Sequence, residues 1–392
     1  MAPSIPPEDR RHADHSDRCP VKPVFSAVSR RPRPVRSSAA VTPAVLTPRH
    51  LNRALLARQL LLTRADLSIP AALEQVGGLQ TQYAPSGYVG LWTRLASFER
   101  GSLTDALEAR TVIQGTLQRT TIHLVSAAEF WPFALGVRQA RRIWGLRVQR
   151  GLTETAVMGA AAQLGAALAA GPKTTAELAA AGEPVDGFLG FAGLWVDLVR
   201  VPPSGTWERR RADRLALASA WLGSPPAEDA AAQTEGMAHL VRSYLSGFGP
   251  APFRDIAAWA GIPVASVRLG AAALDLAKYR DEVGGELVDL PGATLPDPDE
   301  PAPVRFLPHW DASLLVHARR TGILPEVHRE RVFSSRLPFS VGTVLVDGRV
   351  VASWTQRDGR VVVDPFEPLP ALGRTVADEV EAERAALEAF CA

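Results

Sequence analysis

The chain has 392 residues, of which 46% are hydrophobic, and its formal net charge is +2. This length and hydrophobic fraction predict two or three compact folded units and exclude a fibrous or wholly disordered chain. With no apolar run of roughly 20 residues and two cysteines, the sequence argues against a membrane-spanning or disulfide-stabilised protein, and we expect a cytoplasmic monomer.

The first 45 residues differ in composition from the rest of the chain. They are rich in Pro, Arg and Ser and show neither helical nor strand periodicity, which predicts a disordered tail. The first 49 residues hold nine basic and four acidic side chains, while the remainder holds 34 and 37. The run Arg-Arg-Pro-Arg-Pro-Val-Arg at 30–36 could hold DNA loosely, but a solvated tail is the favoured interpretation.

Residues 46–150 show the element order of a winged helix, in which three helices precede a β-hairpin. Thr47 followed by Pro48 is typical of a helix start, and Gly77 and Gly78 are typical of a helix end. Three helices and one extended segment are predicted here: residues 48–62, 71–76, 103–110 and 112–125.

The same order recurs twice, so residues 151–230 and 231–303 are predicted to be a second and a third winged helix. In the second, a helix begins at Thr153, a capping box runs from Thr174 to Glu177, and a third helix precedes the wing. The second unit is predicted to continue with a helix over 186–198 and wing strands over 199–201 and 206–211. The third unit is predicted to contain helices over 234–245, 253–260 and 264–276 and hairpin strands over 278–283 and 286–290.

Beyond a proline-rich acidic linker at 291–303, residues 304–392 change to β structure. Asp-Gly pairs at 347–348 and 358–359 separate strands predicted over 343–346, 350–356 and 361–363, and a helix over 372–390 ends the chain. The predicted fold class is therefore α+β: tandem winged-helix (helix-turn-helix) units, mainly α, followed by a C-terminal antiparallel β segment.

Two arginine clusters carry most of the locally concentrated positive charge. One lies on a predicted helix with no acid close in sequence: Arg138, Arg141, Arg142, Arg147 and Arg150. The other follows the second wing: Arg209, Arg210, Arg211 and Arg214. Each alone fits a solvated face, but beside three winged helices they indicate contacts to a DNA backbone. The predicted recognition helices are mostly apolar, which disfavours a sequence-specific regulator.

Four segments resemble, in order, motifs of the AlkZ/YcaQ-like winged-helix DNA glycosylases. They are Leu-Gln-Thr-Gln at 79–82, Arg-Thr-Thr-Ile-His-Leu-Val at 119–125, Val-Arg-Val-Pro-Pro-Ser-Gly-Thr-Trp at 199–207 and Phe-Leu-Pro-His-Trp-Asp at 306–311. The likeness extends over roughly residues 46–365. Three positions depart from the family pattern: Thr120 replaces Gly, Trp310 replaces Phe, and Arg319 replaces Asp.

The resemblance implies a monofunctional DNA glycosylase that removes purines alkylated at N7 or N3 from double-stranded DNA. It implies that Gln80 and Gln82 are catalytic and that His123 could support them. Two glutamines, rather than Gln and Asp, resemble the AlkZ branch, which is associated with crosslink unhooking and resistance to DNA-alkylating natural products. The main alternative is a non-catalytic DNA-binding protein, either a regulator or a lesion-sequestering factor.

The chemistry is consistent with carboxamides alone. An N7- or N3-alkylated purine is already cationic and leaves without a general acid, so the enzyme has only to place a water and stabilise an oxocarbenium-like state. A lyase would need an amine, and the folded body offers Lys173 and Lys278, neither close to Gln80 in sequence. His309, Asp311 and His317 lack the Cys or Glu partners of common metal sites, and we expect no metal or other cofactor.

Overall fold

A computed structural model describes residues 43–149, 151–183, 191–315, 317, 322–333, 340–368 and 373–392. The predicted tail up to residue 42, the basic run at 30–36, Arg150, the start of the helix predicted at 186, and Arg319 lie outside these residues. Val45 belongs to a short strand, β1 (Val45–Leu46), so the folded part begins slightly earlier than predicted. Residues 43–392 form one compact unit, and the division of this unit into four domains stays a prediction.

Local cap chemistry sets the ends of the first helices. The Thr47 hydroxyl accepts a hydrogen bond from the His50 amide, and Nδ1 of the His50 ring accepts one from the Thr47 amide. This reciprocal cap starts α1 at Pro48. Gly77, in the left-handed conformation, ends α2. The helices of this part are α1 (Pro48–Arg58), α2 (Ile69–Val76), α3 (Pro85–Trp92), α4 (Arg100–Glu108) and α5 (Phe130–Val148).

A six-stranded sheet joins the first two wings. Its strands are β2 (Leu79–Gln80), β3 (Val112–Thr116), β4 (Ile122–Ser126), β5 (Lys173–Thr174), β6 (Leu198–Arg200) and β7 (Arg214–Leu217), in the order β2-β4-β3-β6-β7-β5. Pairing of β3 with β6 connects the two predicted winged helices by backbone hydrogen bonds. Helices α6 (Glu154–Leu168), α7 (Thr175–Ala180) and α8 (Ala218–Leu222) accompany the second wing, and α7 starts at the predicted capping box.

The predicted third winged helix contains α9 (Ala230–Phe248), α10 (Phe253–Ala260), α11 (Val264–Ala271) and the hairpin β8 (Ala277–Asp281) with β9 (Glu286–Asp289). The strand β1 adds to β8 in parallel. Phe133, Tyr244, Phe248 and Trp259 form the centre of a large core in which α5 and α9 meet.

The C-terminal part is an antiparallel sheet in the order β10-β11-β12-β13, formed by β10 (Arg305–Leu307), β11 (Gly342–Val346), β12 (Arg349–Arg357) and β13 (Arg360–Pro365). A short α12 (Arg329–Val332) and the terminal α13 (Arg374–Cys391) complete it. Leu387 of α13 and Phe306 of β10 share a core with Leu79 and Tyr88 of the first part. The predicted α+β fold class is confirmed, and among the described residues no helix is long and apolar enough to cross a membrane.

Several predicted element boundaries are wrong. Helix α1 ends at Arg58, because Leu60 adopts a positive φ of 57°. Residues 112–125 are two strands separated by a short 3-10 turn, and residues 206–211 are not a strand, since the wing returns through β7 instead. Leu198 begins a strand rather than ending a helix. Helix α3, packed throughout, and strand β10 were not predicted, because neither has one polar and one apolar face.

Candidate active site

The two glutamines of the 79–82 segment lie where helix α2 gives way to the edge strand β2. Gly77 and Gly78 both have positive φ, 76° and 78°, and a Cβ on Gly78 would lie 2.9 Å from the Leu124 carbonyl oxygen. Only glycine tolerates both the conformation and the approach. The chain therefore leaves the helix and pairs at once with β4, which places Gln80 opposite His123.

Gln80 is buried and held by a guanidinium. Arg119 donates to its Oε1 at 2.8 Å and also donates to the Trp259 carbonyl oxygen at the end of α10. Burial lowers the pKa of Arg119 to about 10, so the group stays charged at neutral pH. The contact turns the Gln80 carboxamide oxygen toward Arg119 and its NH₂ end away, which fixes the direction of the amide dipole.

Arg119 reaches Gln80 from an unusual turn between β3 and β4. Arg119 and Thr120 have φ values of 51° and 61°, in the left-handed region that β-branched residues rarely occupy. The sequence resemblance leads us to expect Gly at the position of Thr120, and the positive φ gives a physical reason for that expectation. The turn keeps its left-handed shape here despite the Thr side chain.

Gln82 is exposed, unlike Gln80. Its Oε1 accepts a hydrogen bond of 3.2 Å from the Ile122 amide at the start of β4. A carbonyl oxygen has a second lone pair, so this contact leaves capacity to accept from a water. The two glutamines thus differ in environment: one is a buried, charge-anchored dipole, and the other is a solvent-facing acceptor fixed to the backbone.

His123 pairs with Gln80 across β2 and β4 and has only 3% of its surface exposed. Burial, and secondarily the charge of Arg119, lower its pKa to about 3, so the ring is neutral at any physiological pH. Its Nδ1 lies 3.0 Å from the Thr121 carbonyl oxygen, which can only accept, and Nδ1 therefore bears the proton. A neutral imidazole in this place can orient neighbouring groups but does not supply a charge.

The segment at 306–311 reaches the same region from the C-terminal sheet. Asp311 forms a fully buried ion pair with Arg94, at 3.0 Å, and caps the turn that follows by accepting from Ser313. The pair fixes the loop, so that the His309 ring lies edge-to-face against Tyr83 with 5.8 Å between ring centroids. Tyr83 follows Gln82 directly, and the loop therefore forms part of the surroundings of the glutamines.

Comparison with known proteins agrees with this geometry. A family model described as "DNA glycosylase AlkZ-like" matches residues 73–390, which include both glutamines, Arg119, His123 and Asp311.

The chain belongs to the AlkZ-like DNA glycosylase family. The resemblance stated from sequence is thereby confirmed, and the protein is a hydrolase of the DNA N-glycosylase class. The solved structure of Streptomyces sahachiroi DNA glycosylase AlkZ is similar, with a TM-score of 0.72 and 20% sequence identity over 88% of this chain and 97% of that chain. At this identity the likeness shows a shared fold. A search of curated proteins finds no match.

In this glycosylase the arginines predicted on α5 are largely internal. Arg138 is 3% exposed and forms ion pairs with Asp197 at 2.6 Å and Glu228 at 2.7 Å. Carboxylates that are distant in the sequence therefore neutralise part of this cluster. Arg141 is 5% exposed and donates to the Thr116 carbonyl oxygen. As placed, these two guanidinium groups do not face solvent, which corrects the prediction that they offer charge to a DNA backbone.

The remaining predicted arginines are accessible to different degrees. Arg142 is half-buried, donates to the Leu194 carbonyl oxygen at 3.2 Å and lies 5.7 Å from the Trp195 ring. Arg147 is exposed near the end of α5. Of the second-wing cluster, Arg209, Arg210 and Arg211 are exposed, whereas Arg214 on β7 is half-buried. Arg210 donates to the Tyr83 hydroxyl at 2.9 Å, which brings this cluster to the glutamine segment.

Sequence reasoning did not assign a role to Arg119, Tyr83 or Arg94, although the first two carry a recognisable signal. Arg119 begins the family-like strand motif, and Tyr83 immediately follows the glutamine motif. Arg94 has no local signal, because its partner Asp311 lies 217 residues away in sequence.

Proposed function

We propose that this glycosylase hydrolyses the N-glycosidic bond of purines alkylated at N7 or N3 in double-stranded DNA, without cleaving the strand. The observation that carries the proposal is the pair of glutamines at one strand end, Gln80 anchored by Arg119 and Gln82 exposed with a free lone pair on Oε1. The groups that hold them are a guanidinium and a backbone amide, neither of which can act as a general base.

A cationic purine needs no protonation to leave, so positioning and electrostatics suffice. In this proposal Gln82 accepts a hydrogen bond from the attacking water, because it is the exposed member of the pair. Gln80 and neutral His123 fix the dipole and the shape of the site next to it. A normal, uncharged nucleobase is a poor leaving group without an acid, and the site is accordingly selective for lesions that carry their own positive charge.

The position of the lysines supports hydrolysis without a covalent amine intermediate. Lys173 lies on β5, at the opposite edge of the six-stranded sheet from β2. Five strand spacings separate these edges, about 24 Å. Lys278 lies exposed on β8, in a different sheet. Lys173 is therefore too far away to attack a sugar held at Gln82, and Lys278 belongs to a sheet that does not contain the glutamine strand.

The experiment uses duplex DNA with a single N7-methylguanine, incubated with the full-length protein. We expect free N7-methylguanine and an abasic site that breaks only after alkali treatment. Undamaged duplex of the same sequence is the control and should release no base. Strand breaks before alkali treatment would contradict the monofunctional mechanism, and tight binding without release would favour the non-catalytic DNA-binding alternative. A duplex with an N7–N7 interstrand crosslink, run in parallel, tests whether crosslinks are unhooked.

A further inference from the structure

Tyr83 is an exposed aromatic side chain beside the proposed catalytic pair. It keeps 39% of its surface exposed, whereas Tyr88 and Tyr244 are fully buried. It follows Gln82 directly, and both side chains are exposed. A single exposed aromatic ring is common on a protein surface, so its meaning depends on what holds the ring and what lies beside it.

Polar partners, rather than an apolar core, hold the Tyr83 ring in place. The Arg210 guanidinium donates to the Tyr83 hydroxyl at 2.9 Å and lies 5.9 Å from the ring centroid. Arg210 also lies 5.7 Å from the ring of Trp207, which is buried. On another side, the His309 ring meets Tyr83 edge-to-face at 69°. Two segments that are far apart in the sequence, the second wing and the 306–311 loop, therefore contact this one ring.

The His309 ring is itself held and is a neutral neighbour. Its Nδ1 lies 2.8 Å from the Ser340 carbonyl oxygen, and burial lowers its pKa below the ordinary value. The Asp311–Arg94 pair fixes the adjacent backbone. The ring of Tyr83 is therefore preorganised by its surroundings, which reduces the entropy that a stacked ligand would lose on binding.

We propose that Tyr83, positioned by Arg210 and His309, is a stacking surface for the damaged nucleotide and determines which lesions the site prefers. The inference rests on the proposed function, since it assigns the lesion to the same site. A flat, electron-poor alkylated purine, or an aromatic substituent carried by it, packs on a tyrosine ring through dispersion and cation–π attraction. Arg210 is then placed to contact a flanking phosphate while holding the Tyr83 hydroxyl.

The test compares wild type, Tyr83→Ala and Tyr83→Phe under single-turnover conditions. The substrates are duplexes with N7-methylguanine or N7-benzylguanine, and the readouts are the saturated excision rate and the enzyme concentration at half-maximal rate. We expect Tyr83→Ala to raise that concentration by about tenfold or more for the benzyl adduct, with a smaller rise for the methyl adduct. Tyr83→Phe keeps the ring but loses the hydrogen bond from Arg210, so its half-maximal concentration should lie between those of wild type and Tyr83→Ala.

A matched control, Tyr279→Ala, removes a half-buried tyrosine from β8 and should alter neither readout. Equal half-maximal concentrations for wild type and Tyr83→Ala on both substrates would overturn the stacking surface while leaving the proposed function intact. If wild type releases no base, the proposed function fails separately, and equilibrium binding decides the inference. The quantity compared is then the Kd for benzylated duplex divided by the Kd for undamaged duplex. A ratio about tenfold higher for Tyr83→Ala than for wild type supports the inference, and an equal ratio refutes it.

Discussion

Two arginine clusters that look alike in the sequence have opposite places in the fold. On α5, Arg138 and Arg141 are buried and bonded to an acid and a carbonyl group of the protein itself. After the second wing, Arg209 and Arg211 are exposed, and Arg211 keeps 83% of its side-chain surface in solvent. Charge density along the chain therefore does not identify a nucleic-acid surface by itself.

Helical periodicity distinguishes the two clusters. Ala134, Arg138, Arg141 and Gly145 are spaced by four, three and four residues, so they share one helix face, and all four are buried. Arg147 lies off this stripe and is exposed. An arginine that falls on the apolar stripe of a helix is thus a candidate for internal hydrogen bonding, whereas arginines in an irregular wing segment face solvent.

The largest expected effect is on stability, from Arg138→Ala. The substitution leaves Asp197 without its guanidinium partner, and loss of a largely buried ion pair costs about 2–3 kcal/mol. Urea denaturation should show this decrease in the free energy of unfolding. Arg147→Ala on the same helix is the control and should change the free energy by no more than about 0.5 kcal/mol. Equal stabilities of the two variants would contradict the assignment of Arg138 to the interior.

The second wing should instead control DNA affinity. We expect Arg209 and Arg211 each to bind one phosphate, so in Arg209→Ala with Arg211→Ala the slope of log Kobs against log salt should become shallower by about 1.8. Arg210 is left intact, because it also holds Tyr83. The measurement is fluorescence anisotropy with undamaged duplex at salt concentrations from about 50 to about 200 mM. A slope equal to that of wild type would remove the wing from the interface.

The smallest expected effect concerns the turn that carries a third arginine, Arg119, which is half-buried and bonded to Gln80. Thr120→Gly removes the Cβ from a residue at φ 61° and should raise the free energy of unfolding by about 0.5–1 kcal/mol. The turn and the contact of Arg119 with Gln80 stay as they are, so excision should be unchanged. Thr121→Gly, at an extended φ of −111°, is the matched control and should destabilise. A destabilised Thr120→Gly would show that the turn is not strained.

Much of the helical framework follows from local chemistry in the sequence. Capping residues such as Thr47 and Thr174 and the helix-ending Gly77 and Gly261 act within one turn of chain, so their consequences are readable locally. The joining of two wings into one sheet depends on pairing between β3 and β6, about 85 residues apart. No periodicity encodes such a partner choice.

The candidate site likewise combines features that the sequence predicts with contacts that it does not. Gln80 and Gln82 were named from the resemblance, which also marks the strand that holds His123. The contacts around these residues could not be predicted. Gln80 is held by Arg119, which also bonds to the Trp259 carbonyl oxygen, and the neighbouring Tyr83 is held by Arg210 and His309. These contacts come from segments that fold together only in three dimensions. The catalytic roles of the glutamines stay a prediction.

The most direct measurement of the central claim is the single-turnover release of N7-methylguanine by Gln80→Ala with Gln82→Ala. We expect the saturated rate to fall by about a hundredfold or more, while the Kd for the same duplex stays close to that of wild type. Gln139→Ala, which removes an exposed glutamine from α5, should excise at the wild-type rate. Wild-type excision by the double variant would contradict the assignment of catalysis to this pair.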